Sequence, residues 1–182
     1  MIEPTRFNPL DKVEQWTAPD GGNVAIRPIR SADLDIEREF VNSLSPDATY
    51  QRLLSQRRLS ESELRRFTDI DYQHEFALIA TTRQAGHERQ VGVVRYIREQ
   101  KPGNAEFAIV LSDDWQGRGL GTKLLSKLLE TARAAGVGCL QGSTLTENTA
   151  MIQLARKLGF AIQKDPRGAY ITLLTLQLES AD

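Results

Sequence analysis

One cysteine, Cys139, among 182 residues leaves no partner for an intramolecular disulfide, the usage expected in a reducing compartment. The two histidines, His74 and His87, fall in polar stretches and form no metal-ligand spacing with that cysteine, so no metal site is expected. Met1 to Arg6 lack the apolar stretch of a secretory signal, and no run approaches the length of a membrane span. A net charge of −1, from 23 Lys and Arg against 24 Asp and Glu, does not suit a protein that wraps nucleic acid. No Pro/Gly/Ser-rich linker divides the middle, and no repeat or low-complexity tract is visible. The expectation is a soluble, cytoplasmic protein with no nucleic-acid, membrane or metal partner.

Residues 1–22, with Pro4, Pro9, Pro19 and Gly21-Gly22, read as an irregular arm laid over the protein through Phe7 and Trp16. Residues 23–182 read as one domain, a normal length for a single core. Val24 to Ile29 is a short strand, and Pro28 puts it at an edge or at its end. Ser31 reads as the cap of a helix carrying Leu34, Phe40, Val41 and Leu44, broken by Ser45-Pro46-Asp47. Ser60 to Glu63 is a capping box for a second helix. Phe76–Thr81 and Gln90–Ile97 form a hairpin across the polar stretch 83–89, and 104–112 is a third antiparallel strand. From Gly119 the period turns helical, with Leu120, Leu124, Leu125, Leu128, Leu129 and Ala132 on one stripe and Gly136 as its stop. A strand over 138–145, a helix over 148–158 and a strand over 169–178 complete the chain. Antiparallel strands first and a βαβ crossover later specify a mixed α/β sheet.

The chemistry is concentrated where the strand 104–112 runs into the long helix. Gly117, Gly119 and Gly121 punctuate that junction. Glycines let a backbone approach a ligand closely. The first amides of a helix lack internal partners and carry partial positive charge. Together they make an anion site for phosphate or pyrophosphate, with Arg118 adding a cationic side chain. The spacing is neither a Walker A loop nor a dinucleotide G-x-G-x-x-G.

Gln116-Gly117-Arg118-Gly119-Leu120-Gly121 resembles the Q/R-x-x-G-x-G/A signature of the GNAT family of N-acetyltransferases, and Asn148 to Phe160 resembles that family's second cofactor motif, N-x(8)-K-x-G-F. Leu44 to Leu53, Ile70-Asp71-Tyr72 and Ala105 to Ala108 look like the acetyltransferase domain of bacterial protein lysine acetyltransferases, standing without the larger regions often fused to it.

The resemblance implies a mostly antiparallel sheet of about seven strands flanked by about four helices, with two strands splayed to form a cofactor cleft. It implies acetyl-CoA as co-substrate. The pantetheine arm would pair with Ile109, Val110 and Leu111. The pyrophosphate would sit on the amides of Gln116 to Gly121, that is Gln116, Gly117, Arg118, Gly119, Leu120 and Gly121, with Thr122 next in line. Asn148 matches the asparagine that holds the cofactor arm, although a helix cap is its plain structural reading.

Glu106 is the candidate general base. A lysine amine with a pKa of about 10.4 is protonated near neutral pH, so something must take its proton. Both faces of the strand are apolar, so Glu106 is expected to be partly buried and tuned upward; its structural alternative is an ion pair with Arg95. The related tyrosine acid is replaced by Ala155, leaving Ser143, Tyr170 or water as proton source. Tyr50, Arg52 and Tyr72 fall where the family walls its acceptor pocket. The expected function is acetyl transfer to a primary amine, foremost a protein lysine. The alternatives are a small amine, amino acid or polyamine as acceptor, or a non-catalytic acyl-CoA-binding regulatory module. Edge strands near the C-terminus are candidates for pairing into a homodimer.

Overall fold

The computed structural model describes residues 12–46, 48 and 59–178. Its eight strands are β1 (Glu14–Thr17), β2 (Asn23–Pro28), β3 (Glu75–Gln84), β4 (His87–Arg98), β5 (Asn104–Leu111), β6 (Cys139–Leu145), β7 (Ala161–Lys164) and β8 (Ile171–Gln177). The helices are α1 (Leu34–Ser43), α2 (Glu61–Thr68), α3 (Leu120–Ala134) and α4 (Thr149–Lys157). One sheet holds all eight strands in the order β1-β2-β3-β4-β5-β6-β8-β7, and β5–β6 is its one parallel pairing. A parallel neighbour needs a crossover, and α3 supplies it.

Two apolar layers sandwich the sheet. On one face, the stripe Leu120, Leu124, Leu125, Leu128, Leu129 and Ala132 packs with Phe76, Leu78, Val94, Tyr96 and Phe107, and α4 joins through Ala155. On the other, Phe40 and Leu44 pack on Ile29, Ala77, Ile79, Val93 and Val110. Strand alternation divides β5 between them, with Phe107 on the α3 side and Val110 on the α1 side.

Three local expectations change. Part of the N-terminal arm is a strand: β1 pairs with β2, and Trp16 packs against the main core; Phe7 lies outside the described residues. Ser31 opens a short 3-10 turn, and the closing contact is made by Asp33, which accepts the Arg30 N–H at 2.8 Å and pairs with Arg27. The β3–β4 hairpin is longer than expected because its turn is tight, with Ala85 at φ 49° and Gly86 at φ 81°, the double left-handed geometry that matches strand twist. The Ser60 capping box forms as expected, with reciprocal bonds to Glu63 of 3.3 and 2.8 Å.

Candidate active site

β5 and β6 pair only over Asn104↔Cys139, Ala105↔Leu140 and Glu106↔Gln141. Beyond that, β5 stays with β4 as far as Leu111 and β6 with β8 as far as Leu145, so the two diverge. Phe107 is the first residue past the fork. Its ring lies 5.2 Å from that of Phe160 and covers Gly142, where a Cβ would stand 2.5 Å from Phe107 Cε1. The fork leaves a cleft of about 420 Å³. Strand geometry directs about half the backbone groups of 107–111 into it rather than toward β4, and an amide-bearing arm can pair with such groups.

Ile109, Val110, Leu111, Gln116, Gly117, Gly119, Gly121, Thr122 and Asn148 all line this cleft. Gly117 has φ 70°, and Gly119, at φ 86°, is the left-handed N-cap of α3, a conformation that favours glycine. No side chain caps this helix and no acidic residue occupies its first turn. The amides at its start therefore remain for a ligand, at the positive end of the helix.

Two members of the glycine segment do not present side chains to the cleft. Leu120 is fully buried in the core. Arg118, expected beside the anion, turns away. Its Nε and Nη2 donate to Asp20 Oδ2 and Oδ1 at 2.5 and 3.0 Å, its Nη1 donates to the Asp114 carbonyl at 3.3 Å, and its guanidinium stacks 3.7 Å from the Trp115 ring. The Arg118 hydrogen bonds, aided by the Gly22 N–H, hold the Asp20 carboxyl down at about 2. Trp115 packs beneath the loop at 5% exposure. Asp114 is held by the two terminal Arg89 nitrogens at 2.8 and 3.0 Å, which lowers its pKa and offsets its charge beside the helix start.

Asn148 has the cap geometry of its plain structural reading. It caps α4, accepting the Met151 N–H at 3.2 Å, donates to Thr144 Oγ1 at 3.1 Å, and faces the cleft. Sequence reasoning missed Lys157, the one charged side chain among the described residues lining the cleft. It was visible as the lysine of the second motif. Leu154, one turn earlier, abuts the glycine segment: its Cδ2 would lie 3.3 Å from a Cβ on Gly121.

Glu106 lies at the fork on the opposite face, beside Ile97 of β4 and Gln141 of β6. It is exposed rather than partly buried. The α1-side cluster covers β5 at Val110 but leaves Glu106 and Ala108 open. Arg95 is turned onto the Phe67 ring at 4.7 Å and donates to the Phe67 carbonyl at 3.2 Å, so the alternative Arg95 pairing is not what positions Glu106.

Of the remaining residues, Tyr72 donates to the Ile29 carbonyl at 2.5 Å and stacks edge-on with Phe76, a packing role; burial raises its pKa. Tyr50 and Arg52 lie outside the described residues. Ala155 is fully buried, Ser143 lines the cleft, and Tyr170, 81% exposed, does not.

A sheet that forks beside an uncapped, glycine-rich helix start has room and amide donors for the phosphate-bearing thioester cofactor of an acyltransferase. The chain belongs to the acetyltransferase (GNAT) domain family, whose model matches residues 23–161. It is 38% identical over 148 residues to an acetyltransferase of Pseudomonas aeruginosa, covering 81% of this chain and 80% of that one. The crystal structure of the GNAT domain of S. lividans PAT superposes with a TM-score of 0.81 at 26% identity, covering 91% of this chain and 97% of that one. An L-methionine sulfoximine/L-methionine sulfone acetyltransferase of Pseudomonas aeruginosa is 36% identical over 85 residues, covering 42% of this chain and 49% of that protein. The chain is thus an acetyltransferase of the GNAT family, whose co-substrate is acetyl-CoA.

Proposed function

We propose that this enzyme acetylates the side-chain amine of protein lysines, with Glu106 as general base. The observation that carries the reading is the exposed carboxylate at the mouth of the fork, beside Ile97 at 40% exposure. A carboxylate on an open face can meet an amine that projects from a folded partner. The resemblance of Leu44 to Leu53, Ile70-Asp71-Tyr72 and Ala105 to Ala108 to protein lysine acetyltransferases supports the same acceptor class.

In this reading the thioester reaches through the fork, with its phosphates on the amides of 117–122 and its arm along Ile109–Leu111. The amine nitrogen attacks the carbonyl carbon. Glu106 takes the ammonium's proton so that the neutral nitrogen can attack; the C–N bond then forms, the C–S bond breaks, and the nitrogen's second proton is released to water. The departing thiolate takes its proton from water or through Ser143, whose hydroxyl lines the cleft. Backbone N–H groups near Val110 polarise the carbonyl, and holding both reactants in line supplies much of the acceleration.

A second reading, a free amino-acid acceptor, is favoured by the relative that acetylates methionine derivatives. Thiol release from acetyl-CoA, measured across lysine-bearing proteins and free amino acids, tests the choice, with acetyl-lysine located by mass spectrometry. Turnover on proteins is expected. Faster turnover on free amino acids, with no acetyl-lysine formed, would replace the protein reading with the second.

A further inference from the structure

The loop from Asp113 to Gly121 contains two glycines in left-handed geometry. Such a segment is conformationally loose by itself, yet here it is braced from outside. The brace comes from the β1–β2 hairpin, whose residues 14–22 precede the stretch matched by the family model. Asp20 grips Arg118 with both oxygens and also accepts the Gly22 N–H at 3.0 Å, tying the hairpin turn to the loop. Gly22 sits so close that a Cβ there would collide with Arg118 Nη2 and stand 2.9 Å from Trp115 Cη2. Trp16 approaches the loop as well, 3.8 Å from where a Cβ on Gly119 would be.

We propose that Asp20 is a positioning residue for cofactor binding: it clamps Arg118 against Trp115 and so holds the phosphate loop in its ligand-ready shape. The inference rests on reading Gln116–Thr122 as the phosphate site. It assigns Arg118 to bracing and leaves phosphate recognition to backbone amides. Because the Asp20 pKa is depressed, the pair is fully formed above the ordinary value of 3.8 and is lost only as pH falls through about 2. The clamp is therefore constant across any practical assay range.

The test compares Asp20→Asn, Arg118→Met, the double variant and Asp20→Glu in the full chain, reading CoA affinity by calorimetry, KM and kcat by thiol release, and Tm. Asp20→Asn and Arg118→Met are each expected to weaken CoA binding and raise the acetyl-CoA KM by roughly three- to fivefold, the scale of an exposed ion pair. At saturating cofactor kcat stays within about twofold, the double variant is no worse than either single one, and Asp20→Glu recovers part of the loss. Tighter binding by Asp20→Asn would mean that Asp20 competes with phosphate for Arg118, and would overturn the proposal. So would an effect of Arg118→Met alone, or a lower Tm with unchanged affinity. Gly119→Val separates the underlying reading, since it distorts the loop directly. Normal CoA binding by Gly119→Val would refute the phosphate site itself, whereas its loss beside a normal Asp20→Asn would refute only the clamp.

Discussion

Replacing Glu106 with Gln removes the proposed base while keeping its shape. The side chain is exposed and does not line the cofactor cleft, so stability should stay within about 0.5 kcal/mol and CoA affinity should not change. The magnitude follows from the acceptor. A lysine of pKa about 10.4 is neutral in roughly one molecule per thousand near pH 7.4. If Glu106 serves to deliver the neutral amine, its removal costs at most about 10³-fold at that pH, within the usual span of general-base effects. A loss of about 10²- to 10³-fold in kcat/KM is therefore expected near pH 7.4. The deficit should shrink about tenfold with each unit of rising pH, as solvent deprotonates the amine instead. The assay is thiol release at saturating acetyl-CoA on a lysine-bearing protein, run from neutral to strongly alkaline pH. Activity within about twofold of the parent at neutral pH would refute the base role, as would a deficit that does not narrow with pH.

Three further outcomes follow from the cleft. Lys157→Gln should raise the acetyl-CoA KM about three- to tenfold and flatten its dependence on salt, because this side chain is the charged one among the described lining residues; steady-state kinetics at two ionic strengths check it. Asn148→Ser keeps a capping oxygen but loses the amide, so Tm should hold while CoA affinity falls if the amide grips the cofactor; Asn148→Ala should also lose about 0.5–2 kcal/mol of stability on denaturation. Gly142→Ala would force a methyl to within 2.5 Å of Phe107, an overpacking that costs about 1–3 kcal/mol in thermal unfolding.

The legible parts of the fold were those encoded locally. The leucine stripe of α3, the Ser60 capping box and the glycine segment each carry their signal within one turn or two. The edge strands β1 and β7 escaped because each has four residues, Glu-Gln-Trp-Thr and Ala-Ile-Gln-Lys, too short for alternation to declare itself. The glycine segment lines the cleft, but the direction of Arg118 was not legible, since its partner Asp20 lies 98 positions earlier in the chain. Glu106 was expected to be partly buried because β5 is apolar on both faces. Its exposure depends on how far the α1-side layer extends over the sheet, and that is a property of packing, not of the strand.

The sheet itself divides the work. The α3 and α4 face supplies most of the cleft from two contiguous motifs, with Val110 reaching it from the α1 side, while the opposite face holds Glu106 and the open ground around it, and the fork between β5 and β6 joins them. A substitution confined to the Glu106 face should therefore change acceptor kinetics and leave cofactor kinetics alone. Ile97 is the sharpest probe, because it is Glu106's cross-strand neighbour and is 40% exposed. Ile97→Lys places an ammonium beside the carboxylate, where opposite charges on adjacent strands attract. That ammonium would compete with the acceptor's own for Glu106 and repel it on approach. The expected result is a fall of about tenfold in kcat/KM for the lysine acceptor, equivalent to about 1.4 kcal/mol, with the acetyl-CoA KM within about twofold of the parent. Equal movement of both constants would mean that the two faces are not separate, and that the fork does not divide cofactor from acceptor.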